Sequence, residues 1–345
     1  MNEAHFWLPY LESLGFAVQR HLAISVNGRD DGRSKPVAQE GGDVIFGIDR
    51  EVEPIILGEI ASWPRECLPL VLIAEGLGAE GRRILGDARI PTRYRLIVDP
   101  IDGSRGLMYD KRSAWFIAAI AYDRSEETSL QDTFAAVLVE LPTSKQTWCD
   151  SYVAASGMPA TGRRVRVGGA DSRPIEIRPS TAPDLRFGFA QVANYFPGTK
   201  VLASDLMERI VAETLGAVQP GEGLVFDDQY ISSGGQMAEL IAGHDRFTCD
   251  LRPLFYEILQ GSGAECARGL ECHPYDVAGA LVATQAGVVI TDGFGQPLNA
   301  PLDVRTGVHW CGYANPTIAR QVQPVIERWL RERGVPSRGR PVHRL

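Results

Sequence analysis

Two aspartates follow a short apolar segment in the sequence RLIVDPIDGSRG, which spans residues 95–106. The apolar segment predicts a strand, and Asp99 and Asp102 come directly after it, separated by a proline that stiffens the turn. Gly103 and Ser104 follow, and their backbone N–H groups can bind phosphate oxygens. This density of oxygen ligands indicates a metal and phosphate site. A D-P-x-D-G sequence taken alone is equally consistent with a surface turn.

Three further carboxylates occur in similar settings. Glu75 follows the apolar segment VLIA, Asp276 opens a predicted helix, and Asp49 stands near the start of another. Carboxylates at strand ends and helix starts can converge in one cleft, where a bound cation relieves their mutual repulsion. Hard oxygen ligands favour Mg²⁺, Mn²⁺ or Ca²⁺ over zinc. Each residue alone also fits a structural role, such as a helix cap, so the prediction depends on their joint occurrence.

The composition narrows the class of protein. The chain has 345 residues, enough for one large or two fused domains, and its 44% apolar content can supply a sizeable core. Its net charge of −8 argues against a nucleic-acid polymer or an anionic membrane as partner, but not against a small phosphorylated metabolite. Six cysteines without a C-x-x-C pair indicate reduced thiols and a cytoplasmic location. We expect no signal peptide and no membrane-spanning segment.

The apolar pattern predicts two regions of different structure. The first begins with helix over residues 6–26, interrupted near Pro9 and Gly15, followed by a polar, glycine-rich stretch over residues 27–42 that predicts a loop or a mobile segment. Closely spaced strands then predict an antiparallel sheet, at residues 70–74, 94–98, 116–122, 134–140 and 146–155. After about Ser180, helices alternate with strands. These helices are predicted over residues 204–215 and 233–242, from Asp276 onward, and from a cap at Asn315 to Gly334 with a kink at Pro324.

The motifs resemble those of the inositol monophosphatase-like superfamily of metal-dependent, lithium-sensitive phosphatases. That superfamily also includes fructose-1,6-bisphosphatases and the phosphatases of 3′-phosphoadenosine nucleotides. Residues 99–104 match its motif D-P-[IL]-D-G-[ST], and residues 275–280 and 286–292 are similar to its W-D-x-A-A-G motif and the strand that follows. Residues 43–49 and 74–76 match its upstream motifs more loosely. The likeness covers residues 43–315, nearly the whole chain.

The resemblance implies a layered αβαβα fold of the α+β or α/β class. An N-terminal α+β half, residues 1–180, would supply most metal ligands, and a C-terminal α/β half, residues 181–345, would supply Asp276 and the substrate wall. Five residues would bind two or three Mg²⁺ ions, with Mn²⁺ as a substitute: Glu75, Asp99, Ile101 through its carbonyl, Asp102 and Asp276. Glu75 and Ser104 would activate the attacking water, Asp49 would help to bind a third ion or its waters, and the Gly103 and Ser104 amides would bind phosphate.

Some positions depart from the family pattern. Gly76 replaces the second glutamate of a G-E-E motif, and Tyr275 replaces the usual tryptophan. On the substrate side, Ser233 and Gly234 occupy the position of a small-residue helix start, and Asp250 is the candidate for an acidic substrate contact.

Residues 251–275 form an insertion that would border the substrate pocket. Two of its arginines, Arg252 and Arg268, could contact a second phosphate or could be solvated. The same two alternatives hold for Lys111 and Arg112.

The sequence therefore predicts a Mg²⁺-dependent phosphatase that acts on a small phosphate monoester, with an inositol or sugar phosphate as the favoured substrate. A 3′-phosphoadenosine nucleotide or a sugar bisphosphate is the alternative substrate. An inactive family member that binds metal or a phosphorylated ligand is the alternative of another class, motivated by Gly76. By analogy alone, the chain could form a homodimer.

Overall fold

The structure, a computed structural model, describes residues 3–26, 36–40, 43–77, 81–263 and 268–335. For residues 24–26, 36–40, 43–46, 49 and 50 it describes the backbone but not the side chains. The helices in these ranges are α1 (Glu3–Val26), α2 (Gly47–Ala61), α3 (Ser104–Met108), α4 (Lys200–Leu215), α5 (Ser233–Ala242), α6 (Arg252–Gly261), α7 (Ala280–Gln285) and α8 (Pro316–Glu332). The strands up to residue 175 are β1 (Pro36–Glu40), β2 (Asp43–Phe46), β3 (Leu70–Ala74), β4 (Arg82–Leu85), β5 (Tyr94–Asp102), β6 (Ala114–Tyr122), β7 (Thr133–Leu141), β8 (Trp148–Ala155), β9 (Thr161–Arg166) and β10 (Ser172–Ile175). The later strands are β11 (Gly188–Val192), β12 (Val225–Phe226), β13 (Asp245–Asp250), β14 (Val289–Thr291) and β15 (Trp310–Tyr313).

The larger sheet has eight strands in the order β10-β9-β8-β7-β6-β5-β3-β4. Neighbouring strands in this sheet are antiparallel, except for β3 and β5. These two strands are parallel, with pairs that run from Leu70↔Tyr94 to Ala74↔Val98. The prediction of a purely antiparallel sheet is wrong at this pair. Because the strands run parallel, their carboxyl ends meet at one edge, which brings Glu75 close to Asp99.

The smaller sheet has five strands in the order β12-β11-β13-β15-β14. Strand β11 runs parallel to both β12 and β13, whereas β15 pairs antiparallel with β13 and β14. The carboxyl ends of β11 and β13 therefore point the same way, and the segments that follow them contribute Tyr195 and Arg252 to the site described below.

Apolar side chains cover both faces of the larger sheet, as the continuous apolar strands of a fully covered sheet require. Along β5, Leu96 and Val98 pack in the cluster that contains α1 and α2, whereas Ile97 packs in the cluster that contains α5, α7 and the smaller sheet. Helices α4 and α8 contact the far side of the smaller sheet. The layers are thus helix, sheet, helix, sheet, helix, and the predicted αβαβα fold is confirmed.

Helix α1 is continuous through Pro9 and Gly15, where the sequence predicted interruptions. Gly15 lies against Val139 and Phe116 of the sheet, and this packing outweighs the low helix propensity of glycine. The predicted helix α5 is confirmed, and Asn315 caps α8 by accepting hydrogen bonds from the amides of residues 317 and 318. Pro324 lies inside α8.

Two further predictions of secondary structure are wrong, and one helix was missed. Residues 36–40, placed in a loop, form strand β1, which pairs with β2, while residues 27–35 and 41–42 of that loop lie outside the described residues. Residues 276–279 form a turn, and helix α7 begins only at Ala280. Helix α6, within the insertion, was not predicted. Among the described residues, no helix has the length and apolar character needed to cross a membrane.

Candidate metal and phosphate site

Three buried or half-buried carboxylates meet at the carboxyl end of strand β5, beside the start of helix α5. Asp99, Asp102 and Asp276 each place one oxygen within 4.8 Å of the others. Asp99 and Asp102 belong to the end of β5, and Asp276 lies in the turn before α7. The structure therefore brings together three predicted metal ligands that are up to 177 residues apart in the chain.

A bulge in β5 explains how two aspartates three positions apart share one site. In a regular strand, residues separated by three positions point to opposite faces. Here Asp99 pairs with Ile117 and Asp102 pairs with Trp115, so β5 has one more residue than β6 across this interval. The extra residue reverses the alternation, and Asp99 also accepts a hydrogen bond from the Ile101 amide at 3.0 Å. Both carboxylates consequently point toward the same site.

The start of helix α5 fixes the carboxylate of Asp102. Its Oδ2 accepts hydrogen bonds from the Ser232 hydroxyl at 2.8 Å and from the Gly234 amide at 2.6 Å. Because both bonds end on one oxygen, the other oxygen can face the cluster. Gly234, predicted as a substrate contact, is therefore placed against a ligand, and its role toward substrate stays a prediction.

Asp276 is fixed by its own turn. Its Oδ2 accepts a hydrogen bond from the His273 amide at 2.5 Å, and its amide donates to the His273 carbonyl at 3.2 Å. The rings of His273 and Tyr275 stack with centroids 5.3 Å apart. Tyr275, which departs from the family pattern, therefore packs beside the ligand turn.

The cluster opens into a cavity of about 60 Å³. Most predicted site residues line it: Glu75, Asp99, Ile101, Asp102, Gly103, Ser104, Ser233 and Asp276. Asp49 lies in α2, as predicted, but its side chain is outside the described residues. The roles assigned to these residues remain predictions, and the structure adds that they share one cavity.

Burial and mutual repulsion dominate the electrostatics of the cluster. Burial raises the pKa of Asp99 well above its ordinary value, and the nearby charges of Glu75, Asp102 and Asp276 raise it further. Burial raises the pKa of Asp102 to about 7, against the hydrogen bonds from Gly234 and Ser232. Burial, followed by the charge of Asp102, also raises the pKa of Asp276. A divalent cation among these oxygens would remove the repulsion, and the hard donor set fits Mg²⁺ or Mn²⁺.

Two glycines of the site adopt left-handed backbone conformations. Gly103 has φ of +92°, and a Cβ there would lie 2.8 Å from the Ile231 carbonyl oxygen. Gly76, which stands where the family pattern has a second glutamate, has φ of +73° and open space around it. L-residues adopt such angles at a cost, so the local backbone accounts for glycine at both positions.

The sequence did not single out several side chains that line the same cavity, among them Arg105, Tyr195, Phe196 and Glu271. Tyr195 and Phe196 lie three and four residues after the end of β11, and this position near a strand end was the available signal for them. Arg105 directly follows the motif of residues 99–104, so its adjacency to Ser104 could have identified it.

The predicted substrate contact Asp250 pairs with an arginine of the insertion. Asp250 is 1% exposed, and the Arg252 Nε lies 2.9 Å from each of its carboxylate oxygens. Arg252 is itself buried and lines the cavity. The structure thus places Arg252 at the cavity wall and Asp250 behind it, and a contact between Asp250 and substrate stays a prediction.

The other candidate arginines have protein partners. Arg112 pairs with Asp228 at 2.5 Å and with Glu239 at 3.0 Å, and its guanidinium carbon lies 3.6 Å from the ring centroid of Tyr230. These contacts connect the end of α3 to α5 and the segment before it. Arg268 pairs with glutamates 257 and 271 at 3.3 Å each. Both arginines therefore have structural roles.

Comparison with known proteins identifies the fold. No protein-family model matches the sequence, and no curated protein matches it. An IMPase of Thermotoga maritima superposes with a TM-score of 0.56 at 19% identity, covering 97% of this chain and 100% of that chain. SuhB of Mycobacterium tuberculosis superposes with a TM-score of 0.57 at 14% identity, covering 95% of this chain and 98% of that chain. Fructose-1,6-bisphosphatase of Leishmania major superposes with a TM-score of 0.65 at 13% identity, covering 95% of each chain. The chain therefore has the fold that its motifs implied.

Proposed function

We propose that this protein is a Mg²⁺-dependent phosphatase that hydrolyses a small phosphate monoester. The observation that carries the proposal is the meeting of Asp99, Asp102 and Asp276 within 4.8 Å in a cavity that Glu75 and Ser104 also line. Solved structures of the same fold are named as an IMPase and a fructose-1,6-bisphosphatase, which supports the same class of reaction.

The carboxylates and the Ile101 carbonyl would hold two Mg²⁺ ions, and Asp49 would assist a third. When bound, Mg²⁺ neutralises phosphate charge and lowers the pKa of water. Glu75 and the Ser104 hydroxyl would orient the attacking water and accept its proton. The Gly103 and Ser104 amides would bind the phosphate oxygens. The water oxygen would form a bond to phosphorus as the ester P–O bond breaks, and the leaving alkoxide would take up a proton from solvent water.

The substrate's phosphate is the part that enters the cavity. A volume of about 60 Å³ is far below the roughly 300–1,000 Å³ of pockets that enclose whole ligands. The alcohol part of the ester, an inositol or a sugar in our proposal, would therefore lie over the cavity mouth. That mouth includes the half-exposed Ile231, Phe196 and Arg105.

A phosphatase assay tests the proposal. We expect release of phosphate from one or more of inositol 1-phosphate, glucose 1-phosphate, fructose 1,6-bisphosphate and adenosine 3′-phosphate with Mg²⁺, and loss of release with EDTA or Li⁺. Asp99→Asn should lower kcat by orders of magnitude while the circular dichroism spectrum is unchanged. Asp171→Asn, at an exposed position, is the matched control and should behave as wild type.

Two results would contradict the proposal. Turnover of Asp99→Asn at the wild-type rate would refute the assignment of the ligands. The absence of turnover on every ester, together with tight Mn²⁺ binding, would favour a protein that binds metal or a phosphorylated ligand without catalysis.

A further inference from the structure

Arg112 lies at the end of the segment that carries the proposed phosphate-binding amides. Helix α3 begins at Ser104, and the chain folds back after it, so that the Arg112 amide donates to the Gly106 carbonyl at 3.3 Å. The Gly106 amide in turn donates to the Gly103 carbonyl at 2.9 Å. A Cβ at Gly106 would lie 3.3 Å from the Arg112 carbonyl oxygen, so the two backbones are in close contact. A shift of Arg112 would therefore be transmitted to Gly103 and Ser104.

The side chain of Arg112 attaches this segment to α5 and to the residues before it. Its Nη1 lies 2.5 Å from a carboxylate oxygen of Asp228, and its Nη2 lies 3.0 Å from one of Glu239. Its guanidinium carbon lies 3.6 Å from the ring centroid of Tyr230, which is 5% exposed. The Tyr230 hydroxyl donates to the Ser113 carbonyl at 2.8 Å. Two ion pairs and a cation–π contact in one network hold a side chain more firmly than an isolated surface pair does.

The contacts of Arg112 lead to the element that orients Asp102. The Ser232 amide donates to the Tyr230 carbonyl at 2.9 Å, and the Ser232 hydroxyl donates to Asp102 Oδ2 at 2.8 Å. The Tyr230 ring also packs against the first turn of α5, where a Cβ on Gly235 would collide with it. The guanidinium of Arg112 and the carboxylate of Asp102 are thus attached to the same helix start.

We propose that Arg112 is a positioning residue, which holds the phosphate-binding amides of Gly103 and Ser104 in place. It fixes them relative to Asp102, because both the α3 segment and that carboxylate are attached to the start of α5. Among the described residues that line the cavity, Arg112 does not occur, so it acts through the backbone of α3 and not by contact with substrate. The inference rests on the proposed function and adds a residue to its site.

Titration of inorganic phosphate tests the role of Arg112. With Mg²⁺ present, Arg112→Gln should weaken phosphate binding about tenfold or more, because small misplacements of binding groups are costly. The KM of any hydrolysed ester should rise in parallel. The Mg²⁺ affinity measured without phosphate should stay within about twofold of wild type, because Ser232 and Gly234 still donate to Asp102. A merely structural role would not separate the two affinities. Arg112→Lys should restore part of the phosphate affinity, since an ammonium group keeps the charge but not the planar fork.

The partners of Arg112 allow the variant to fold. Glu239 keeps an ion pair with His244, whose Nδ1 lies 2.5 Å from it, and Asp228 is exposed to solvent. In our proposal Glu239 acts on phosphate only through Arg112, so the double variant Arg112→Gln/Glu239→Gln should bind phosphate no more weakly than Arg112→Gln. Additive losses of phosphate affinity would overturn the proposal.

Arg163 provides the matched control. It pairs with Glu12 at 2.8 Å, and its guanidinium carbon lies 5.0 Å from the ring centroid of Phe16. Arg163→Gln thus removes an ion pair and a cation–π contact between β9 and α1, and should leave phosphate affinity unchanged.

The outcomes separate this inference from the proposed phosphatase activity. Wild-type phosphate affinity in Arg112→Gln would overturn the inference, and so would equal losses of phosphate and Mg²⁺ affinity. If wild type binds phosphate but hydrolyses no ester, the proposed activity fails, and a selective loss of phosphate affinity in Arg112→Gln still supports the role of Arg112. If wild type binds Mg²⁺ but no phosphate, the inference is overturned.

Discussion

The hydroxyl of Ser232 connects the first turn of helix α5 to the carboxylate of Asp102. It donates a hydrogen bond to Asp102 Oδ2 at 2.8 Å and accepts one from the Gly235 amide at 2.8 Å. A helix cap and a candidate metal ligand are therefore positioned by the same side chain. The C-terminal half of the chain in this way orients a carboxylate that belongs to the N-terminal sheet.

Replacing Ser232 should affect both stability and metal binding. Ser232→Ala removes the cap, which should cost about 1 kcal/mol of unfolding free energy. It also releases Asp102, so the Mg²⁺ affinity should fall about tenfold or more. Ser232→Thr keeps the hydroxyl and should retain most of both properties. Denaturant unfolding and Mg²⁺ titration measure the two effects.

A cap remote from the site provides the control for Ser232. Asn315 accepts hydrogen bonds from the amides of Thr317 and Ile318 at the start of α8. Asn315→Ala should cost a similar amount of stability without changing Mg²⁺ affinity. An unchanged Mg²⁺ affinity in Ser232→Ala would mean that the hydrogen bond does not orient Asp102.

Gly103→Ala should impair the protein more than the same substitution at Gly157, a glycine outside the site that also has a left-handed backbone conformation. Both Gly103 and Gly157 have positive φ, +92° and +76°, but only at Gly103 would a Cβ meet another atom, the Ile231 carbonyl oxygen at 2.8 Å. Gly157→Ala should cost about 1–2 kcal/mol from the backbone conformation alone. Gly103→Ala should lower the free energy of unfolding by more than this. It should also lower phosphatase activity, because the new Cβ would displace the backbone at Gly103 and with it the adjacent Ser104. Equal stability and full activity in Gly103→Ala would refute the close approach.

Asp245 should make the protein less stable as the pH rises. Burial raises the pKa of Asp245 from 3.8 to about 7, and the charges of Glu239 and Asp228 raise it further, against those of Arg112 and His244. Because the folded protein holds this proton more tightly than the unfolded chain, the contribution to stability is fully present below pH 3.8 and is lost as the pH rises to about 7.

Asp245→Asn tests this pH dependence, since asparagine cannot ionise. At pH 8 the variant should be more stable than wild type, by an amount on the order of 1–3 kcal/mol, and the difference should shrink at pH 5. Thermal or denaturant unfolding at the two pH values measures it. Asp171→Asn, on an exposed side chain, should show no such dependence. A variant that is less stable than wild type at pH 8 would contradict the prediction.

Removing one member of the buried ion pair of Asp250 and Arg252 should lower the free energy of unfolding more than removing both charges together. Arg252→Met leaves a buried carboxylate without its partner and should cost about 3–5 kcal/mol. The double variant Asp250→Asn/Arg252→Met removes both charges and should be more stable than the single variant. Arg178→Met, at an exposed pair with Glu176, should unfold close to wild type. A double variant less stable than Arg252→Met would argue against this account.

Much of the fold could be predicted because its strands are strongly apolar. Both faces of the larger sheet are covered, so its central strands read as continuous apolar segments, and β3 coincides with the predicted residues 70–74. Short polar strands such as β4 and β9 carry no such signal. The parallel pairing of β3 with β5 could not be predicted either, because the apolar pattern of a strand does not specify its partner or its direction in the sheet.

The site shows a similar division. Asp99 and Asp102 were identifiable from their motif, but the bulge that points both to one side depends on pairing with β6. The ion pair of Asp250 with Arg252 depends on the start of α6 inside the insertion. Phe196 joins two arginines that are 147 positions apart in the chain. Such contacts are decided by tertiary structure, so local sequence patterns do not contain them.

The measurement that tests the central claim most directly is an anomalous difference map from crystals soaked in Mn²⁺ and phosphate. We predict one or more Mn²⁺ peaks about 2.2 Å from carboxylate oxygens of Asp99, Asp102 and Asp276, with phosphate density against Gly103 and Ser104. A map in which Mn²⁺ binds elsewhere and leaves these three carboxylates without a peak would contradict the account.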